Sequence, residues 1–291
     1  MDFVRKIRHQ LQWLWKHGQS GYGRVWLQSR LFPPPPTGRF PPLWMASVRA
    51  FPPLLKMDER PHALLAIGGS LTEDTLLAAY LKGIYPVLYE HPVKWIVFNP
   101  RMVLFLEKMK LEKRLRRLIR SGRYHVTFDS AFEEVARECS NRKWTWLVPE
   151  RINVAVALHK RGQAHSVEVW NRDGKLVGGL FGLEMGRMFL SESAFHHESN
   201  VGKVADAYLN CHLQHWGYEV HDAQVYSPYL EAMGFEEIPC KEYVHKLQEL
   251  MRPNVRSAPW RVDERLDVAG WNPSLPGSQI KGCAGDNQMD V

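Results

Sequence analysis

The chain has 291 residues, 45% hydrophobic, 24% charged and 11% aromatic, with 38 Lys+Arg against 31 Asp+Glu and a formal charge of +7. That length allows one large domain or two modest ones, and the composition excludes global disorder, collagen and a disulfide framework. The charge is unevenly spread. Residues 1–57 carry nine basic side chains against Asp2 alone, residues 253–291 carry four against five acids, and the region between is neutral overall.

Cys139, Cys211, Cys240 and Cys283 show no metal-like spacing, so a reducing, cytoplasmic protein is expected. No run of about 18 apolar residues exists to form a transmembrane helix, and the N-terminus lacks a secretory apolar core. Phe3 to Trp26 could form a short amphipathic helix touching a membrane surface or nucleic acid, or be a poorly ordered extension. Phe32-Pro-Pro-Pro-Pro and Phe40-Pro-Pro then break any helix.

The glycines of Gly68-Gly69 precede Thr72, a plausible N-cap for a helix over Glu73 to Lys82 that Gly83 closes. Trp95 to Phe98 is predicted as a short strand. Leu111 to Arg120 puts Leu111, Leu115, Leu118 and Ile119 on one helical face and cations on the other. A strand is predicted over Tyr124 to Phe128, and helices over Ser130 to Ser140 and Pro149 to Arg161. The period then becomes two: His165 to Trp170 and Lys175 to Leu183 are paired strands joined by an Asp173-Gly174 turn. Strands at Met188 to Ser191 and Glu219 to Val225 follow, with helices at Val201 to Trp216, Pro228 to Met233 and Glu242 to Met251. The segment after Pro253, rich in Pro, Gly, Asn and Asp, is predicted to be a flexible tail.

The predicted fold class is α/β of the α+β kind, with a mainly antiparallel sheet in a GNAT-like arrangement. The predicted division is a basic, Pro-rich extension over 1–50, a small N-terminal domain over 51–99, a catalytic domain over 100–252 and a tail over 253–291.

Eleven short segments, in order, resemble the leucyl/phenylalanyl-tRNA–protein transferases. They begin with Phe51-Pro-Pro, Gly68-Gly69-Ser-Leu with Leu77-Ala-Ala-Tyr, Gly83-Ile-Tyr-Pro and Asn99-Pro-Arg101. Tyr124-His-Val-Thr127, Thr145-Trp146, His165 to Trp170 and Leu176 to Gly182 follow. Phe189-Leu-Ser-Glu-Ser193, Asp222-Ala-Gln-Val225 and Met233-Gly-Phe complete the set. The resemblance implies a GNAT-like enzyme without acetyl-CoA or metal that moves Leu or Phe from an aminoacyl-tRNA. The acceptor it implies is the α-amine of a protein beginning with Arg or Lys, which is thereby marked for degradation.

Such a reaction needs positioning, a proton acceptor and stabilisation of an oxyanion. Asp222 and Gln224 alternate on a predicted strand and so are expected on one face, where the carboxylate could orient the amide or help take a proton. The resemblance carries the catalytic role to them, and to Glu192 as a second active-site carboxylate. It likewise carries a substrate pocket to Trp146, Leu180, Phe189, Ser193 and Ala194. Three departures bear on specificity: the family commonly has Met at Ala194 and Trp at Val87, and Ser227 stands where it has Asn. Loss of a stacking aromatic removes about 1–3 kcal/mol unless Tyr85, Tyr89 or Trp95 substitutes.

Lys108 to Arg123 holds eight cations against Glu112, and Lys110, Lys113, Arg114, Arg116, Arg117 and Arg120 are the expected tRNA contacts. A solvated polar face is compatible with that role. Three alternatives remain: a GNAT acetyltransferase, another aminoacyl-tRNA-dependent transferase, and an inactive tRNA- or peptide-binding relative. The first needs a pyrophosphate loop, and the nearest segment, Ser199-Asn-Val-Gly202-Lys-Val204, is wrong at both ends. His165, His196 and His197 lack metal-ligand spacing, so no metal is expected.

Overall fold

A computed structural model describes residues 43–44, 63–88, 92–142, 145–251, 260–275 and 277–281. The amphipathic stretch and most of the Pro-rich extension lie outside them. The chain forms two compact units. Unit 1 takes residues up to Arg101 together with Ser140–Ala155 and Ile238–Gln248; unit 2 takes Met102–Cys139, Val156–Glu237 and Glu249–Val291. The units interleave along the chain, where contiguous domains were expected.

Unit 1 carries a four-stranded sheet built from β1 (Leu43–Trp44), β2 (Ala63–Ile67), β3 (Tyr85–Val87) and β4 (Lys94–Val97), in the order β1-β2-β4-β3. Part of the expected extension is therefore a strand, paired parallel to β2. Helix α1 (Glu73–Tyr80) starts as expected at Thr72, whose side chain accepts from the Thr75 amide at 3.2 Å. Tyr85 and Trp95 are core residues of this unit: Tyr85 stacks on Tyr80 at 5.8 Å, and the fully buried Trp95 donates its indole N–H to Gly68 O at 2.9 Å. Neither is available to replace the aromatic lost at Val87, and Tyr89 lies outside the described residues.

The seven-stranded sheet adds β5 (Arg101–Phe105), β6 (His125–Phe128), β7 (Ala164–Trp170), β8 (Leu176–Met185), β9 (Met188–His196), β10 (Val220–Gln224) and β11 (Glu236–Ile238). Its order is β11-β5-β10-β9-β8-β7-β6, and of the pairs from β5 to β6 only β10 with β9 is parallel. The remaining helices are α2 (Lys113–Arg120), α3 (Phe132–Ser140), α4 (Pro149–Lys160), α5 (Val201–His215), α6 (Pro228–Ala232) and α7 (Cys240–Leu250). The architecture is the α+β class with a mainly antiparallel sheet that the element pattern predicts.

Alternation along the central strands gives the sheet two buried faces. Val167, Val169, Leu180 and Phe189 join a core with α5 residues Val201, Val204 and Leu209. On the opposite face Phe181 meets Phe132 of α3 edge to face, at 5.5 Å. The glycines of Leu176 to Gly182 have packing reasons. A Cβ on Gly178 would strike Val201, and one on Gly182 would enter the Phe189 ring and the Leu190 carbonyl.

The expected tail is instead part of unit 2 over its described residues. Trp260, Leu266, Val268 and Trp271 are buried in the same core, and Trp271 donates its indole N–H to Gln214 Oε1 at 2.8 Å. Trp260 lies 4.0 Å from the His165 ring, nearly parallel to it. Large aromatic surface anchors this segment without any periodic pattern.

Candidate active site

Pairing of β10 with β9 begins at Val220↔Met188 and ends at Asp222↔Leu190, whereas β9 continues along β8 as far as His196. Among the described residues, no strand therefore pairs with β9 on its β10 side from Ser191 onward. Two features shape this opening. A bulge interrupts β9 between its partners Phe181 and Gly182, and leaves Glu192 between the paired residues Ser191 and Ser193. A second interrupts β10, where Asp222 faces Val103 but Gln224 faces Met102.

The β10 bulge changes the predicted relation of Asp222 to Gln224. Gln224 adopts φ +66°, a left-handed conformation that a regular strand lacks, so the simple alternation placing both side chains on one face does not apply. Asp222 is fully buried and its Oδ1 accepts the Gln224 amide N–H at 2.8 Å. The Gln224 side chain then reaches across the opening and donates Nε2–H to the Ser191 carbonyl at 2.8 Å. Asp222 thus fixes the backbone of Gln224, and Gln224 ties β10 to β9 where the ladder has ended.

Glu192 is buried, with 4% exposure. Ser193 is half-buried opposite Phe181, and Ala194 is exposed opposite Leu180. Leu180 and Phe189 belong to the unit 2 core, while Trp146 belongs to unit 1. Val87, at another departure, is buried in β3 of unit 1.

A polar chain that sequence reasoning overlooked lies beside Gln224. Ser191 Oγ is 2.6 Å from His221 Nε2, and His221 Nδ1 is 2.8 Å from Asn210 Oδ1. Asn210 in turn donates Nδ2–H to Asp206 O at 2.8 Å. Burial holds the His221 pKa down at about 4. The available signal was a histidine in an otherwise suitable buried strand, matched by an asparagine among the apolar positions of α5.

On the same sheet, His165 meets Asp129 Oδ2 at 2.8 Å and faces Glu184 at 3.6 Å. Burial opposes its protonation, but the two carboxylates outweigh that and raise its pKa. Among the described residues no cluster of three or more His, Cys, Asp or Glu side chains suits a metal ion.

The basic helix α2 is divided in its duties. Arg116 Nη1 donates to Ala269 O at 2.7 Å and Arg120 Nη2 to the same carbonyl at 3.4 Å, so both hold the C-terminal segment. Lys108 pairs with Glu236 and Arg123 with Glu198. Lys110, Lys113, Arg114 and Arg117 present exposed side chains. Among the described residues no helix is long and apolar enough to cross a membrane.

Comparison with known proteins agrees with the ordered motifs. Residues 103–248 match the family described as leucyl/phenylalanyl-tRNA protein transferase. A protein of that name from Nitrosospira multiformis is 39% identical over 225 residues, covering 76% of this chain and 97% of the relative. Its counterpart from Pseudomonas syringae pv. syringae is 41% identical over 202 residues, covering 68% and 88% respectively. Among solved structures, a tandem GNAT protein of clavulanic acid biosynthesis has a TM-score of only 0.30 at 12% identity, over 60% of each chain. Identity sustained over nearly the whole length of named relatives decides the matter: the chain belongs to the leucyl/phenylalanyl-tRNA–protein transferases, a family of aminoacyltransferases.

Proposed function

We propose that this chain moves Leu or Phe from an aminoacyl-tRNA onto the α-amine of a protein beginning with Arg or Lys, in the cytoplasm, and so marks that protein for degradation. The observation that carries the reading is the near full-length match to the Nitrosospira multiformis transferase. Scattered cysteines without metal-like spacing favour the reducing compartment.

The chemistry asked of the site is modest. An α-amine titrates near 7.7–8.0, so a useful fraction is neutral at cellular pH. The aminoacyl ester is already activated, which leaves positioning, proton transfer and charge stabilisation. Gln224, set by Asp222 and reaching to Ser191, is suited to orient the reacting groups at the opening between β9 and β10. The buried carboxyl of Glu192 is the proposed partner for the substrate amine or for the cationic side chain of the acceptor. Leu180, Phe189, Ser193 and Ala194 of unit 2 are the proposed contributors to side-chain recognition. With alanine in place of the usual methionine, Leu/Phe preference is the property most open to change.

The exposed cations Lys110, Lys113, Arg114 and Arg117 are the proposed phosphate contacts. Such contacts are sequence-tolerant, as an enzyme accepting several tRNAs requires. Arg116 and Arg120 are discounted relative to the sequence expectation, because they also hold Ala269. The double reversal Arg114→Glu with Arg117→Glu is expected to weaken tRNA binding and to reduce the slope of log K against log salt by about 2. Filter binding across a salt series measures it; an unchanged slope would place the tRNA elsewhere.

Transfer itself is tested by incubating the full chain with labelled Leu-tRNA and an Arg-initiated peptide. Label is expected on the peptide α-amine. Acetylation of the same peptide from acetyl-CoA, with no aminoacyl transfer, would favour the acetyltransferase reading instead.

A further inference from the structure

We propose that His221 is a positioning residue for Gln224: it fixes Ser191, whose carbonyl is the seat of the Gln224 amide. The inference rests on the aminoacyl-transfer reading and gives a buried polar chain a part in it. That part requires no contact with substrate.

The hydrogen-bond directions are set by chemistry. Asn210 uses Nδ2 to donate to Asp206 O, which leaves Oδ1, an acceptor only, facing His221. His221 Nδ1 must therefore carry the proton, and Nε2 presents a lone pair to Ser191 Oγ at 2.6 Å. The Ser191 hydroxyl donates inward to a buried ring, so its contribution is to hold the residue rather than to react. Burial keeps His221 neutral, and this direction therefore persists through the cellular pH range. The imidazole is itself fixed. Phe189 and Phe235 meet it edge to face at 5.6 and 5.1 Å. Asn210 is fully buried on α5, and Asp206, which holds it, also accepts the Tyr229 hydroxyl of α6 at 2.7 Å.

Ser191 is where this chain reaches the opening. Among the described residues the β10 ladder on β9 ends at Asp222↔Leu190, and Ser191 comes next. Side chains of β10 take over from the ladder there: His221 at the hydroxyl and Gln224 at the carbonyl. The β9 bulge follows at once, between Ser191 and Ser193.

A residue at a ladder end and beside a bulge has backbone freedom that a side-chain tie removes. With its carbonyl fixed, the bond from Gln224 Nε2 sets where the second N–H and Oε1 of that amide point. Asp222 thus holds the backbone of Gln224, and His221 holds the partner of its side chain. The two adjacent residues of β10 act on the same amide from opposite ends.

The test uses Ser191→Ala and His221→Leu in the full chain, each alone and combined with Gln224→Ala. Steady-state transfer from labelled Leu-tRNA to an Arg-initiated peptide is measured beside tRNA binding. Each single variant is expected to lower kcat about tenfold at unchanged tRNA affinity, and Ser191→Thr, which keeps the hydroxyl, to restore most of it. In the Gln224→Ala background both effects should vanish, because the group being positioned is gone; a general loss of folding would not cancel in this way. Ser191→Ala leaves the buried imidazole in place and decides the matter if His221→Leu does not fold. Equal losses in both backgrounds, or parental kcat in Ser191→Ala, overturn the positioning role and leave the transferase reading intact. Hydrogen exchange of the Gln224 side-chain amide, followed by NMR on glutamine-labelled protein, needs no transfer. Faster exchange in Ser191→Ala is expected, and unchanged exchange overturns the tie. Faster exchange with no transfer by the parent keeps the tie and rejects the transferase reading; unchanged exchange with no transfer rejects both.

Discussion

Asp222→Ala is expected to lower kcat about 100-fold with little change in tRNA affinity, whereas Asp222→Asn should stay within about tenfold of the parent. The contrast comes from what the carboxylate touches. Its Oδ1 accepts the amide of Gln224, which is held at φ +66°. Alanine removes that acceptor, frees the bulge and strands a buried N–H, and a displaced Gln224 no longer reaches Ser191. Asparagine keeps an acceptor oxygen in the same place and forfeits only the charge-assisted part of one bond, about 1 kcal/mol. Steady-state kinetics of both variants, beside tRNA binding, separate a positioning role from proton transfer. Equal losses would show that the charge itself takes part in the reaction, and parental activity in both would remove Asp222 from it.

Trp271→Ala is expected to destabilise the chain by about 3–5 kcal/mol, with transfer at low temperature much less affected. The side chain is fully buried, packs in the core shared with α5, and its indole N–H satisfies Gln214. Truncation leaves a large cavity and an unpaired amide oxygen together, against a net stability that is typically only about 5–15 kcal/mol. A shift of the urea midpoint at constant m-value measures the loss. A midpoint within error of the parent would mean that the C-terminal segment does not contribute to the folded core.

The same two regions show where the sequence was legible and where it was not. Period and turn chemistry are local properties, and elements that depend on them are found close to their predicted places. The Asp173-Gly174 turn joins β7 to β8 with Gly174 at φ +72°, and Thr72 caps α1. Segment 260–281 has no period at all, and its order depends on where Trp260 and Trp271 find buried surface, a tertiary property. Composition alone therefore suggested a tail.

The bulge at Asp222–Gln224 is equally invisible, because an alternating string of residues does not announce an extra one. The family motif led to Asp222 and Gln224, but their mutual geometry comes from the broken register with β5. His221 and Asn210 are 11 residues apart on different elements, and only folding brings them within 2.8 Å. The cations of α2 show the reverse case: the helix was plain from its spacing, but the commitment of Arg116 and Arg120 to Ala269 depended on an unforeseen segment.

The central claim is that this chain reads the first residue of its acceptor and gives it an amino acid carried by tRNA. The most direct measurement compares initial rates of transfer from labelled Leu-tRNA and Phe-tRNA to matched peptides beginning with Arg, Lys or Ala. Transfer to the Arg and Lys peptides in clear excess over the Ala peptide is the predicted result. Equal rates on all three, or label delivered to water alone, would contradict it.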